Sequence, residues 1–312
     1  MEASLQPGER RALPTRLSPS RASDFKRCPK LFEYKTILGL STPNTVATAR
    51  GTLFHLVFEH LFDFPRAERT RENARSLVSP GWELLTHPDK ADDEVSDPME
   101  RRLRDTSGLW IELLEADTWD LSSKLERAAD YRLLAPSGSQ EEANIISQVE
   151  QLVDNYFEKD IEHVQDFDPH GREVHVQAQL GDLTVHGYID RLDVHQTQSG
   201  EEHWFISDYK TGKPPQAQYA SESFFGMRVY ALLLEEERGI RPHKLRLVYP
   251  SADRVTGIVT EVVDEALQIR TKSQVLQIWE EIKTCDTQEH WPTKKAKLCN
   301  WCHFQEQCPA FA

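Results

Sequence analysis

The spacing of apolar residues changes period along this chain. Leu17-Ser18-Pro19-Ser20 opens a helix, with Ser18 placed to cap it and Pro19 in its first turn, where a missing N–H costs nothing. The pattern predicts that this helix runs through Phe25 and Cys28 towards Leu31, Phe32 and Tyr34. From Ala47 to Phe64, the residues Leu53, Leu56, Val57, Leu61 and Phe62 recur at helical spacing and predict a second helix. Residues 65–167 read as mostly polar helix, broken near Pro88, Pro98 and Pro136, and are expected to be a helical insertion. Near Val174 the period falls to two. Val174, Val176, Ala178 and Leu180 alternate with polar residues, Gly181-Asp182 makes a turn, and a second strand runs from Leu183 to Ile189. After the polar turn at Ser199-Gly200, Trp204-Phe205-Ile206 predicts a third strand ending at Asp208. An amphipathic helix from Glu222 to Arg238 follows, then strands at Leu245 to Tyr249 and Gly257 to Val263, and a long helix from Asp264 to about Lys283. Residues 1 to about 16 are polar and basic and are expected to form a disordered lead-in. The order helix, three strands, helix, strand predicts an α/β fold with a large helical insertion, and no internal repeat is present.

Composition narrows the class. The 312 residues are 38% hydrophobic and 28% charged, which suits a soluble protein with a real core, read here as one domain over 1–312 with a sheet core at 168–263. No apolar run is long enough for a bilayer and the N-terminus lacks the apolar stretch of a signal peptide, so the expectation is a cytoplasmic protein with no membrane partner. A net charge of -14 argues against nucleic acid as a partner, until its distribution is considered. Arg10, Arg11, Arg16, Arg21, Lys26, Arg27 and Lys30 crowd one end, and Lys294, Lys295 and Lys297 the other. The acids concentrate elsewhere, at Asp89 to Glu94, Glu141-Glu142 and Glu235 to Glu237, which leaves a polarised surface compatible with DNA.

The cysteines are divided in the same way. Cys28 lies early, while Cys299, Cys302 and Cys308 fall in the segment 291–312. Four thiolates in a reducing compartment favour a metal over disulfides, either zinc or an iron–sulfur cluster, and a site so divided would tie the two ends together. Cys285 has no partner at ligand spacing and reads as structural. Trp301 and Phe304 are expected to pack around the cysteine site.

A second set of residues points to phosphate chemistry. Asp208-Tyr209-Lys210 ends a strand, so Asp208 and Lys210 point one way and Tyr209 the other. A hard cation takes carboxylate oxygen, and a nearby ammonium can orient water or polarise a phosphodiester. An Asp and a Lys so spaced are more often a solvated ion pair. Asp190 ends the preceding strand, and a hairpin would bring its carboxylate beside that of Asp208; two such groups repel unless a cation lies between them. The plain alternative is a turn in which Asp190, Arg191 and Asp193 form a local salt bridge, with Gly187 serving a bulge or a close backbone approach. His55 and Glu59, four apart, share a face of the second helix.

In this order the motifs resemble the PD-(D/E)XK nuclease superfamily, and within it the RecB-like exonucleases. The likeness runs from Ser18-Pro19-Ser20, Phe25 and Cys28-Pro29, through Gly51-Thr52, His55 and Glu59, then Gly187, Asp190-Arg191 and Asp193. It continues through Asp208-Tyr209-Lys210-Thr211-Gly212 to Cys299, Cys302 and Cys308-Pro309. Members bearing an iron–sulfur cluster, such as AddB-type nuclease domains and RecB-like CRISPR-associated nucleases, share this split of one early and three late cysteines. The resemblance implies a restriction-endonuclease-like core and a [4Fe–4S] cluster on Cys28, Cys299, Cys302 and Cys308 that staples the termini. It implies Mg²⁺ or Mn²⁺ on His55, Asp190, Asp208 and the carbonyl of Tyr209, with Lys210 catalytic and Glu59 a supporting acid. The implied activity is hydrolysis of single-stranded DNA or DNA ends in repair or recombination. No phosphate-binding loop of a helicase is present, so any unwinding would come from a partner. The resemblance also predicts a glutamine four residues before Tyr230, where this chain has Gly226; Arg228 or Gln218 could stand in. A nuclease-fold module that binds DNA or a partner protein without cleaving is the competing expectation.

Overall fold

The structure is a computed structural model that describes residues 10–90, 94–104, 121–216, 221–253 and 255–311. Ser18 caps α1 (Pro19–Arg27) by accepting a hydrogen bond from Arg21 N at 3.3 Å. The predicted helix does not run through Cys28. Pro29 excludes the helical conformation from the residue before it, so Cys28 is extended at φ -166° and the chain restarts as α2 (Pro29–Phe32). Of the expected lead-in, residues 1–9 lie outside the described residues. Arg16 joins Leu17, which is fully buried, in β1, pairing in parallel with Thr184 and Val185.

The second predicted helix is α3 (Val46–Leu61), closed at its start by reciprocal hydrogen bonds between Thr45 and Thr48. Beyond it lie α4 (Arg71–Ser76), α5 (Val78–Thr86), α6 (Leu121–Leu134) and α7 (Gln140–Glu158). Helix α7 buries Ile145, Val149, Leu152, Val153 and Tyr156, which recur at three and four residues and turn one stripe inward. These helices and α3 enclose a core that reaches the sheet at Tyr209 and Val248.

The strands are β2 (Gly171–Leu180), β3 (Leu183–Gln196), β4 (Glu202–Tyr209), β5 (Lys244–Val248) and β6 (Ile258–Val262). They form a mixed six-stranded sheet. The long β3 pairs with β2 along one edge, while its other edge takes β1 and then β4 in succession. Between β4 and β5, which are parallel, the chain crosses over through α8 (Phe225–Arg238), stopped by Gly239 in the left-handed conformation. Helix α9 (Glu265–Thr287) follows β6, and α1, α8 and α9 pack with the strands as a second core. The sheet is therefore covered on both faces. No helix among the described residues is long and apolar enough to cross a membrane.

Candidate active site

Two ladders converge on one row of acids. The β3–β4 ladder reaches Arg191↔Ser207, and its next step sets Asp190 opposite Asp208. The Tyr209 N–H points at Asp190 Oδ2, 3.4 Å away. His55 comes in from α3: its Nε2–H donates to the carbonyl of Tyr209 at 2.7 Å, and its Nδ1 stands 3.3 Å from Asp190 Oδ2. Lys210 Nζ lies 2.5 Å from Asp208 Oδ2. The two form a close ion pair at the buried oxygen. Glu59, one turn beyond His55, lines the same pocket as Asp190 and Tyr209. The structure thus brings together His55, Glu59, Asp190, Asp208, Tyr209 and Lys210.

Sequence reasoning overlooked Glu173. This residue of β2 lines the pocket, and its carboxylate, one donor of His55 and one of Asp190 all lie within 4.8 Å of one another. Crowding of like charge marks the electrostatics. Burial and then Asp208 push the Asp190 carboxyl up to about 6, against the pull of His55, Lys210 and the Tyr209 N–H. Burial, Asp190, Glu59 and Asp208 together raise Glu173 well above the ordinary carboxylate range. Burial alone would lower Lys210, but Asp208 and Asp190 outweigh it and raise its pKa. The Tyr230 hydroxyl, reaching in from α8, is raised by burial and by Asp190, Asp208 and Glu173. Carboxylates, an imidazole and a carbonyl are the donors a hard divalent cation takes.

Beneath this row lies a buried ionic cluster. Arg191 and Asp193 sit inside β3 rather than in a turn, each about 1% exposed. Arg191 donates to both carboxylate oxygens of Glu162, to Asp193 and to the Tyr209 hydroxyl. Arg246 of β5 also bonds Glu162. The tyrosine whose carbonyl meets His55 is therefore held at its far end by a fixed guanidinium.

Gly187 is required by close approach. A Cβ there would stand 2.5 Å from Tyr230 Cε1 and 3.3 Å from Pro19 Cδ. Gly226 is the second residue of α8, and among the described residues a Cβ on it would meet only Pro19 Cβ, at 3.8 Å. Arg228 does not stand in for the missing glutamine: its guanidinium bonds both oxygens of Glu261 and the hydroxyl of Ser221. Gln218 lies outside the described residues.

Cys28, Cys299, Cys302 and Cys308 line one open recess, together with Arg27, Lys30 and Lys294 and, among the described residues, no carboxylate side chain. Backbone N–H groups of Lys294 and Ala296 approach the sulfurs of Cys28 and Cys299 at 3.4 Å. Cys285 lies elsewhere, packed beside the main core. Phe304 is buried against Tyr34, with ring centroids 5.1 Å apart, as expected. Trp301 is not packing: it is 76% exposed. A further group, Glu201, His203 and His243, also brings donor atoms within 4.8 Å. There His243 Nδ1 accepts the Trp204 N–H at 3.3 Å. The neutral ring then carries its proton on Nε2, the reverse of what a metal-ligating imidazole needs.

Comparison with protein families matches residues 16–309 to the PD-(D/E)XK nuclease superfamily. No curated protein matches the chain. Among solved structures, one described as "Crystal structure of SSO0001" is 14% identical, with a TM-score of 0.30 over 66% of this chain and 94% of that one.

Proposed function

The chain belongs to the PD-(D/E)XK nuclease superfamily, and from that membership we propose that it is a RecB-like, metal-dependent DNA exonuclease acting on single-stranded DNA or DNA ends in repair or recombination. The observation that carries this reading is the convergence of Asp190, Asp208, Lys210 and His55 at the end of β4. His55, Asp190, Asp208 and the Tyr209 carbonyl would hold Mg²⁺ or Mn²⁺. When bound, the cation supplies Lewis acidity towards a phosphodiester oxygen and lowers the pKa of a water. Lys210, charged and 44% exposed beside Asp208, orients the attacking water or meets a phosphate oxygen. Glu59 supports the site from α3.

In the same reading, the four cysteines hold a [4Fe–4S] cluster. A recess walled by thiols, Arg27 and Lys294, with N–H groups aimed at two sulfurs, suits an anionic cluster. The chain would act as one nuclease domain in the cytoplasm, with 65–167 inserted, and a helicase or other repair protein as its partner.

Gly226 favours a second reading, a nuclease fold that binds DNA or a partner with weak or no cleavage. One experiment separates the two: end-labelled single-stranded DNA is incubated with anaerobically purified protein plus Mg²⁺, Mn²⁺ or EDTA, beside Asp208→Ala and Lys210→Ala. The exonuclease reading expects metal-dependent degradation that falls by roughly 10²–10³-fold or more in each variant, the scale of losing one transition-state contact. Absence of cleavage by protein with an intact brown chromophore would favour the binding module.

A further inference from the structure

The β2–β3 hairpin turns on Gly181-Asp182, and its ladder is continuous from Leu180↔Leu183 to Val174↔Ile189. It resumes at Arg172↔Arg191, so the step between sets Glu173 opposite Asp190. On the other edge of β3, Asp190 faces Asp208. Three carboxylates from three adjacent strands therefore stand in one row.

Such a row is unfavourable by itself. Like charges directly opposed on neighbouring strands destabilise the pair. No hydrogen bond or ion pair reaches the Glu173 carboxylate among the described residues. The nearest guanidiniums are engaged elsewhere: Arg172 pairs with Asp63 at 2.7 Å and bonds the carbonyl of Glu59, while Arg191 is held by Glu162 and Asp193. The backbone adds a cost, since Glu173 takes φ +45° inside a strand, a region non-glycine residues rarely enter. What this arrangement achieves is visible in the donors. A carboxylate oxygen of Glu173, a ring nitrogen of His55 and a carboxylate oxygen of Asp190 form a set compact enough for one ion.

We propose that Glu173 is a direct ligand of the divalent cation, bound together with His55 and Asp190. This rests on the metal-dependent reading above and adds a residue to it. The cation then offsets the repulsion along the row, and the third carboxylate raises affinity by increasing the negative charge of the ligand set.

The test is Mn²⁺ binding, not turnover. Free Mn²⁺ is followed by electron paramagnetic resonance as it is titrated into the full-length protein, with its cysteine site loaded, beside Glu173→Gln, Glu173→Asp and Asp208→Ala. Thermal unfolding is recorded with and without Mn²⁺. Glu173→Gln is expected to weaken Mn²⁺ binding by about 10-fold or more, since even outer contacts to ligands cost that much. Without Mn²⁺ it is expected to melt above the wild type, because a like-charge pair is gone, and its Mn²⁺-induced rise in Tm shrinks. Glu173→Asp, which keeps the charge, recovers part of the affinity. A purely structural role would move both readouts differently, lowering the metal-free Tm and leaving affinity intact. Wild-type Mn²⁺ affinity in Glu173→Gln, with binding lost in Asp208→Ala, overturns the role of Glu173 alone. Absence of Mn²⁺ binding by the wild type overturns both this inference and the metal-dependent reading.

Discussion

Gly187 and Gly226 occupy the same neighbourhood and should respond oppositely to a side chain. At Gly187 the Tyr230 ring and Pro19 leave no room for a Cβ. Tyr230 would have to move, and its hydroxyl lies close enough to Asp190, Asp208 and Glu173 for their charges to raise it. Gly187→Ala is expected to cost about 1–3 kcal/mol as overpacking, measured by urea unfolding, and unchanged stability would show that the pocket yields. Gly226 sits in a helical turn with ordinary van der Waals distance to Pro19. Gly226→Gln should therefore stabilise by roughly 0.5–1 kcal/mol, since glycine is a poor helix former; a lower urea midpoint would contradict this. Residues of these two kinds also differ in how legible they are in sequence. The alternation of β4 is enough to place Asp208 and Lys210 together. Glu173 could have been found by counting back from the Gly181-Asp182 turn to the position opposite Asp190, but its left-handed backbone could not. That Arg228 is held by Glu261, thirty-three residues later, is a tertiary fact no local pattern carries.

At the scale of elements, the segment after α7 is joined to the sheet by charge as well as by apolar packing. Glu162, just past α7, is buried between Arg191 of β3 and Arg246 of β5, and also accepts from the Tyr156 hydroxyl at 2.9 Å. Burial alone would raise its pKa, but Arg191 and Arg246 overcome this and bring it down to about 2. A depressed folded-state pKa means that the unfolded chain takes up the proton first as pH falls. The stabilisation is complete above about pH 4.5 and is lost towards pH 2, amounting to about 3 kcal/mol. Urea unfolding at pH 5, 4 and 3 should show this loss in the wild type and a flatter profile in Glu162→Gln. Arg191→Ala leaves the buried Glu162 and Asp193 with Arg246 as the one guanidinium they share, two acids against one cation, and should cost about 3–5 kcal/mol. In sequence, residues 65–167 were legible only as mostly polar helix broken at prolines. Their attachment was not: a lone glutamate after a polar helix is indistinguishable from a solvated one until β3 and β5 meet it. For the same reason Arg191 and Asp193 suggested a turn, although both lie in the interior of a long strand.

Across the whole molecule, the two ends are held by different forces. Up to Trp291 the C-terminal chain belongs to the main core: Trp291 is buried, stacked on Phe32 at 5.6 Å and edge-on to Phe25 at 6.4 Å. Beyond it the apolar support is slight, a cluster of Leu31, Tyr34 and Phe304 flanked by Cys28 and Cys302. Hydrogen bonds from Tyr34 Oη to the Gln307 carbonyl at 3.0 Å and from Lys30 N to the Pro292 carbonyl at 3.2 Å add little, each worth about 1 kcal/mol net. A segment so thinly packed, with thiols from both ends on one recess, depends on what the thiols bind. On the proposed [4Fe–4S] reading, replacing Cys302 with serine should abolish the visible absorption that cluster gives and expose the tail beyond Trp291 to limited proteolysis. The core up to Trp291 should stay protected, because its burial does not involve the recess. The cleavage site, read by intact mass, checks this: cuts confined to the tail show a local staple. Cuts spread through α3 and the sheet would instead show that closing the termini holds the entire fold.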